Sequence, residues 1–274
     1  MKNERQIEIM GIVNLTDDSY YADSRCSDVS AAVSRIEALV NEGADIIDIG
    51  ACSTRPGSIP VGAREEWRRL EPVLEVLSRD LPHIRLSIDT YWSEVVEKAH
   101  DLIGNFIVND ISAGEDDPFM LPVVGRLGLE YVAMHKRGTP QTMQTLTDYG
   151  NVTEDVKAYF LSFAERASRY GIKNWILDPG FGFAKTVEQN YSLLSGLSSL
   201  HDRYLAYNPK IMVGLSRKSM VYKPLGISPD EALPATQSVH MVALQNGADI
   251  LRVHDVESAL QTITLYKLLM SSSF

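Results

Sequence analysis

The sequence predicts an α/β fold, a (β/α)8 TIM barrel, on three observations. Eight short β-branched apolar runs alternate with eight longer amphipathic stretches of Ala, Leu, Glu, Lys and Arg. The polar residues closing the runs, at 14, 48, 89, 110, 135, 178, 216 and 254, recur about every 34 residues. Eight such units occupy about 250 residues, the usual size of this barrel. No G-x-G-x-x-G turn follows the first run, as it would in the competing doubly wound sheet. The 274 residues are expected to form one domain, 1–274.

In order, the first run is 7–14, ending at Asn14; its helix, 29–42, has Asp28 as N-cap and Gly43 beyond its end. The run 44–50 carries Asp48 and leads to the helix 64–79. The run 85–89 ends at Asp89 and leads to 92–101. The run 106–110 closes with Asn109 and Asp110 and leads to 118–127. The run 130–135 ends at His135, before a helix at 152–170 with Thr153 as its N-cap and Gly171 at its end. The run 175–178 ends at Asp178 and leads to 186–205. The run 210–216 precedes a helix at 229–246 that closes on Gly247. Last, 250–254 carries Arg252 and His254, before 256–270.

A chain with 45% hydrophobic and 23% charged residues is that of an ordinary globular protein. Cys26 and Cys52 are too few for a disulfide scaffold or a cysteine-rich zinc site. The polar N-terminus lacks an apolar signal core, and no apolar run could span a bilayer, so the expected location is the cytoplasm, away from membranes. A net charge of −10 argues against nucleic acid as a partner. An anionic small molecule would need a local basic cluster inside this acidic shell.

In such a barrel the chemistry sits at the C-terminal ends of the strands. The segment 48–57 combines small residues, Arg55 and a Pro-Gly turn, suited to closing over a ligand. In 178–185, glycines allow close backbone approach while Phe181 and Phe183 offer flat apolar faces. Arg217 and Lys218 place two cations after the seventh strand, and Arg252 and His254 end the eighth. These loops are the common phosphate site of the fold. Asp89, Asn109 and Asp178 could together read a flat heterocycle through its amino and ring N–H groups. A carboxylate metal cage is the weaker alternative, because no two acids stand at tight ligand spacing.

Read in order, the motifs resemble those of the dihydropteroate synthase family. They are Gly11-Ile-Val-Asn-Leu-Thr16, Ser53-Thr-Arg-Pro-Gly57, Ser87-Ile-Asp-Thr90, Val108-Asn-Asp110, Met134-His135, Leu177-Asp-Pro-Gly-Phe-Gly-Phe183, Gly214-Leu-Ser-Arg-Lys-Ser219 and Ile250-Leu-Arg-Val-His-Asp255. The resemblance implies a folate-pathway transferase that joins p-aminobenzoate to 6-hydroxymethyl-7,8-dihydropterin pyrophosphate with Mg2+. The products are 7,8-dihydropteroate and pyrophosphate, and sulfonamides compete for the p-aminobenzoate site. Carried over, Asp89, Asn109, Met134, Asp178 and Lys218 would bind the pterin. Asn14 would ligate Mg2+. Asn14, Thr54, Arg55, Arg252 and His254 would hold pyrophosphate, and Pro56, Phe183, Lys218 and Ser219 would receive p-aminobenzoate. Asp89, Asp178, Lys218, Arg252 and His254 would carry the catalysis. The resemblance also implies a homodimer through the later helices, with Tyr222, Met241 and Leu244 as candidates for its face, although core packing explains them as well.

The sequence departs from the family pattern in its loops. Asp17 replaces a proline, Tyr20 a phenylalanine, and Ala22 and Asp23 stand in an altered first loop. Cys52 stands where glutamate is frequent, and Ala184 replaces a glycine. Two alternatives share the pterin-reading acids: a non-catalytic pterin-binding paralogue, and a methyltetrahydrofolate-binding methyltransferase. The latter should lack Ser-Thr-Arg-Pro-Gly and Ser-Arg-Lys, both present here.

Overall fold

A computed structural model describes residues 5–15, 28–52, 61–139, 141–201, 204 and 207–271. Eight parallel strands close into a barrel in sequential order. They are β1 (Glu8–Asn14), β2 (Ile46–Gly50), β3 (Leu86–Asp89), β4 (Ile107–Asp110), β5 (Glu130–Met134), β6 (Trp175–Asp178), β7 (Lys210–Val213) and β8 (Ile250–Val253). Around them stand α1 (Val29–Glu42), α2 (Ala63–Asp80), α3 (Ser93–Ile103), α4 (Met120–Leu127), α5 (Val152–Arg169), α6 (Val187–Ser195), α7 (Ser219–Tyr222), α8 (Leu233–Gln245) and α9 (Val256–Ser271). Every expected run contains a strand. No helix among the described residues is long and apolar enough to cross a membrane.

Local chemistry sets the helix ends. The Asp28 side chain accepts from Ala31 N, and Gly43 takes a left-handed φ of 105° beyond α1. The N-cap of α5 is Asn151 rather than the expected Thr153, because the Asn151 side chain accepts from both Thr153 N and Glu154 N. The helix expected at 186–205 stops at Ser195, and a single 3-10 turn, Leu197–Leu200, follows Gly196. The short α7 was not legible in the pattern. It begins where Lys218 caps a four-residue turn.

Period-two alternation divides each strand between two surroundings. Outward residues such as Ile47, Ile49, Val108, Leu251 and Val253 join the large core between barrel and helices. Inward residues Met10, Ile46, Ile107, Val132, Ile176, Met212 and Ile250 form a separate apolar plug across the barrel's middle. Below the plug, Arg85 bridges Glu8 and Glu130 at 2.6 Å each, and Lys210 also pairs with Glu8. Above it the inward positions turn polar, so the barrel is stacked as ionic base, apolar middle and polar mouth.

Between barrel and helices, Phe160 of α5 is fully buried among Tyr159, Trp175 and Tyr204, with ring centroids 5.4 to 6.3 Å away. Phe160→Ala should cost about 3–5 kcal/mol through lost burial and the cavity left behind. Equilibrium urea unfolding measures it, and a cost below about 1 kcal/mol would contradict this packing.

Candidate active site

Strand register sets the polar mouth. Asn14 pairs with Gly50, Gly50 with Asp89 and Asp89 with Asn109, so one continuous row crosses β1 to β4. One step deeper, Asp48 is fully buried. Its Oδ1 accepts from Ser87 Oγ at 2.6 Å, and its Oδ2 accepts from Asn109 Nδ2 at 3.1 Å and Arg252 Nε at 2.7 Å. Arg252 Nη2 also donates to Asp89 Oδ2 at 2.9 Å. A single guanidinium from β8 thus ties together carboxylates on β2 and β3. The bond to Asp48 also fixes the Asn109 amide, since only its nitrogen can face a carboxylate.

This mouth is not the basic cluster that the net charge suggested. Arg252 is matched by Asp48 and Asp89, and those acids hold its guanidinium firmly protonated against its burial. Burial pushes the Asp89 carboxyl up to about 7 against the pull of Arg252, with Asp48, Asp110 and Asp178 adding to the rise. Asp178 is raised in the same direction, chiefly by burial. His254 is neutral: burial lowers it to about 3, aided by Arg252. Its Nδ1 stands 3.0 Å from Ser216 Oγ.

Nor do both cations after β7 enter the mouth. Arg217 has a φ of +53° and turns outward to Asp255, at 2.9 Å. Lys218 turns inward, donating to the Phe181 carbonyl with its ammonium 5.0 Å from the Phe183 ring centroid. Burial lowers its pKa to about 8, opposed by Asp178. Ser219 follows as the first residue of α7.

The loop after β6 brings Asp178, Phe183 and Lys218 together. Asp178 Oδ1 accepts from Gly180 N at 2.8 Å. Gly180 has φ +68°, and a Cβ there would stand 2.0 Å from the His135 carbonyl oxygen and 3.3 Å from Met134 Cγ. Met134, opposite Asp178 in register, packs with Tyr91 and Ile111 and against Phe183. Phe181 is fully buried in the outer core, so of the two expected apolar faces only Phe183 borders the mouth.

Several expected residues therefore gather in one place: Asn14, Asp89, Asn109, Met134, Asp178, Phe183, Lys218 and Arg252. Thr54, Arg55 and Pro56, with Asp17, Tyr20, Ala22 and Asp23, lie outside the described residues. Asp110 faces the outer layer, where it accepts from Tyr131 Oη at 2.6 Å and Ser112 N at 2.7 Å. His135 is buried and neutral, with Nδ1 3.0 Å from Lys185 Nζ. Two contributors had no role assigned. Asp48 was among the strand-end polar residues, and it shares the inward parity of Ile46, a signal that would have placed it in the mouth. Lys185, whose ammonium also donates to the Gly180 and Phe183 carbonyls at 2.9 and 3.1 Å, gave none. Burial lowers its pKa to about 7.

Because Gly180 has no room for a side chain, Gly180→Ala should destabilise the protein by about 1–3 kcal/mol or more. Chemical denaturation reads it. A variant as stable as the parent would show that this loop does not pack on β5 as described.

The family model for pterin binding enzymes matches residues 10–254. The dihydropteroate synthase of Synechocystis sp. is 41% identical over 256 residues, covering 92% of this chain and 86% of the relative. That of Escherichia coli (strain K12) is 35% identical over 266 residues, covering 96% and 92%. The crystal structure of the Yersinia pestis dihydropteroate synthase with a sulfonamide drug aligns with a TM-score of 0.91 at 33% identity, covering 97% of this chain and 95% of that one. The barrel, its polar mouth and these likenesses agree: the chain belongs to the dihydropteroate synthase family of pterin-binding enzymes, transferases of folate synthesis.

Proposed function

We propose that this barrel mouth condenses 6-hydroxymethyl-7,8-dihydropterin pyrophosphate with p-aminobenzoate by dissociative substitution. One observation carries the reading: the acceptors Asp89, Asn109 and Asp178 share a mouth with Lys218 and with Arg252, which bonds two carboxylates through Nε and Nη2. No bond from Arg252 Nη1 is made among the described residues. Asp89, Asn109 and Asp178 accept from the pterin's amino and ring N–H groups, beside Met134 and Lys218. Arg252 Nη1, His254, Thr54 and Arg55 hold the pyrophosphate. Pro56, Phe183, Lys218 and Ser219 receive p-aminobenzoate.

The C–O bond to the pyrophosphate breaks, and its electron pair leaves with the phosphate oxygen. The resulting methylene cation is stabilised by the pterin ring and by the carboxylates of Asp89 and Asp178. The neutral arylamine nitrogen then forms the C–N bond and gives its proton to water. Positioning and charge dominate, without a covalent enzyme intermediate. Cys52 suits no nucleophilic role here, because burial raises its thiol pKa.

Among the described residues no group of three or more His, Cys, Asp or Glu side chains could hold a metal by itself. The donors do suit Mg2+ arriving with pyrophosphate, which commonly uses one or two protein oxygens and the substrate's phosphates. Asn14 Oδ1 and Asp89 Oδ2 lie 3.6 and 3.7 Å from the position a Cβ would take on Gly50. Asn14 is the proposed ligand. The ion supplies positive charge to a mouth whose arginine is already matched by acids.

The proposed assembly is a homodimer through the later helices. Leu244 is fully buried and cannot form its centre, while Tyr222 and Met241 are only half-buried against the core. Exposed Leu260, Leu265 and Met270 on α9 and Val242 on α8 support the same region instead. Light scattering of the intact chain should give twice the monomer mass, and a monomer at micromolar concentration would sink the proposal.

Purified protein should release pyrophosphate only when the dihydropterin pyrophosphate, p-aminobenzoate and Mg2+ are all present. Tight pterin binding without release would support a non-catalytic paralogue instead. The Lys218 ammonium gives a pH signature. It is protonated below about 8, so kcat/KM should fall as pH rises through that value. Lys218→Arg should move this alkaline limb upward by more than about two pH units, since a guanidinium stays charged. An unmoved limb would assign it to another group.

A further inference from the structure

The two loops that carry Lys218 and His254 are joined outside the mouth by a second set of bonds. Arg217 Nε and Nη2 donate to Asp255 Oδ2 and Oδ1, both at 2.9 Å, a bidentate fork. The remaining Arg217 nitrogen, Nη1, donates to the carbonyls of Pro229 and Asp230 at 2.9 and 2.8 Å, just before α8. Arg217 N donates to the fully buried Thr236 Oγ1 at 3.2 Å. The Arg217 side chain is 3% exposed and that of Asp255 14%. This environment holds Arg217 at φ +53°, a left-handed conformation that costs a non-glycine residue about 1 kcal/mol or more.

The strained turn has a geometric consequence. Arg217 and Asp255 face outward, while their chain neighbours Lys218 and His254 face the mouth. Inside, Ser216 Oγ meets His254 Nδ1 at 3.0 Å, so the loops after β7 and β8 are joined on both sides. Arg35 of α1 adds a bond from Nη2 to the His254 carbonyl at 3.0 Å. We propose that the Arg217–Asp255 fork is a latch that positions His254 against the departing pyrophosphate. Neither latch residue touches substrate in this reading; both are positioning residues. The proposal rests on the function proposed above for the mouth.

The test uses Asp255→Asn, which keeps shape but removes the charge, with Asp255→Glu as the conservative rescue. Groups that orient metal-ligating residues typically contribute about 10- to 100-fold, and a loss of that order is expected from this fork. Asp255→Asn should lose that much kcat/KM for the pyrophosphate ester while free 6-hydroxymethylpterin binding is retained. Asp255→Glu should recover much of the loss. Combined with His254→Ala, Asp255→Asn should add little, because both remove the same contribution. Additive losses, or parallel loss of pterin binding and thermal stability, would overturn the latch.

A second readout is independent of turnover. In the parent, His254 is held neutral by burial down to about pH 3. If Asp255→Asn frees the loop, NMR should find this imidazole titrating nearer the solvated value of about 6.5. Loss of the carboxylate alone, with the loop still in place, would shift it the other way. An inactive parent whose His254 still responds would sink the function but keep the latch. An active parent whose His254 and kinetics ignore Asp255→Asn would do the reverse.

Discussion

Arg252 shared between Asp48 and Asp89 is the interaction on which the barrel mouth depends. Three charged groups from β8, β2 and β3 lie inside the barrel, above an apolar plug that offers them no other partners. Taking such charges out of water is costly, and only their mutual contacts and added hydrogen bonds offset it. Ser87 and Asn109 supply those bonds to Asp48. The cluster therefore fixes two things together: the guanidinium on one side and the row of acceptors on the other.

This arrangement separates two recognition tasks. In the proposed reading, Asp89, Asn109 and Asp178 would present acceptors to a flat, donor-rich heterocycle, while Arg252 would face the anionic leaving group. Neither task relies on net positive charge, which the described mouth does not have. A site balanced in this way suits an anion that brings its own cation. It also suits chemistry in which positive charge appears on one fragment as negative charge leaves with the other.

The sequence made the fold plain because each apolar run carries a polar residue at or near its end and every helix but α7 overlaps a legible amphipathic stretch. It blurred where local competition decided the outcome. Asn151, with two backbone donors in reach, displaced Thr153 as the cap of α5, and Gly196 cut α6 short. In the site, strand-end acids, Asp48 among them, were visible from spacing, and parity would have shown that Asp48 points inward. Arg217 was not legible as an outward residue, because its direction follows from a left-handed turn that spacing does not encode. Lys185 was equally hidden, since its partners are carbonyls of its own loop and the histidine that follows β5.

The central claim is that Asp48 and Arg252 stabilise one another inside the barrel rather than merely sitting close. The most direct measurement is a double-mutant cycle in unfolding free energy with Asp48→Asn, Arg252→Gln and the pair together. The account predicts a coupling of about 0.5–3 kcal/mol, with the double variant less destabilised than the sum of the singles. Strictly additive losses would mean that the two charges are solvated independently, and the mouth would need another organising interaction.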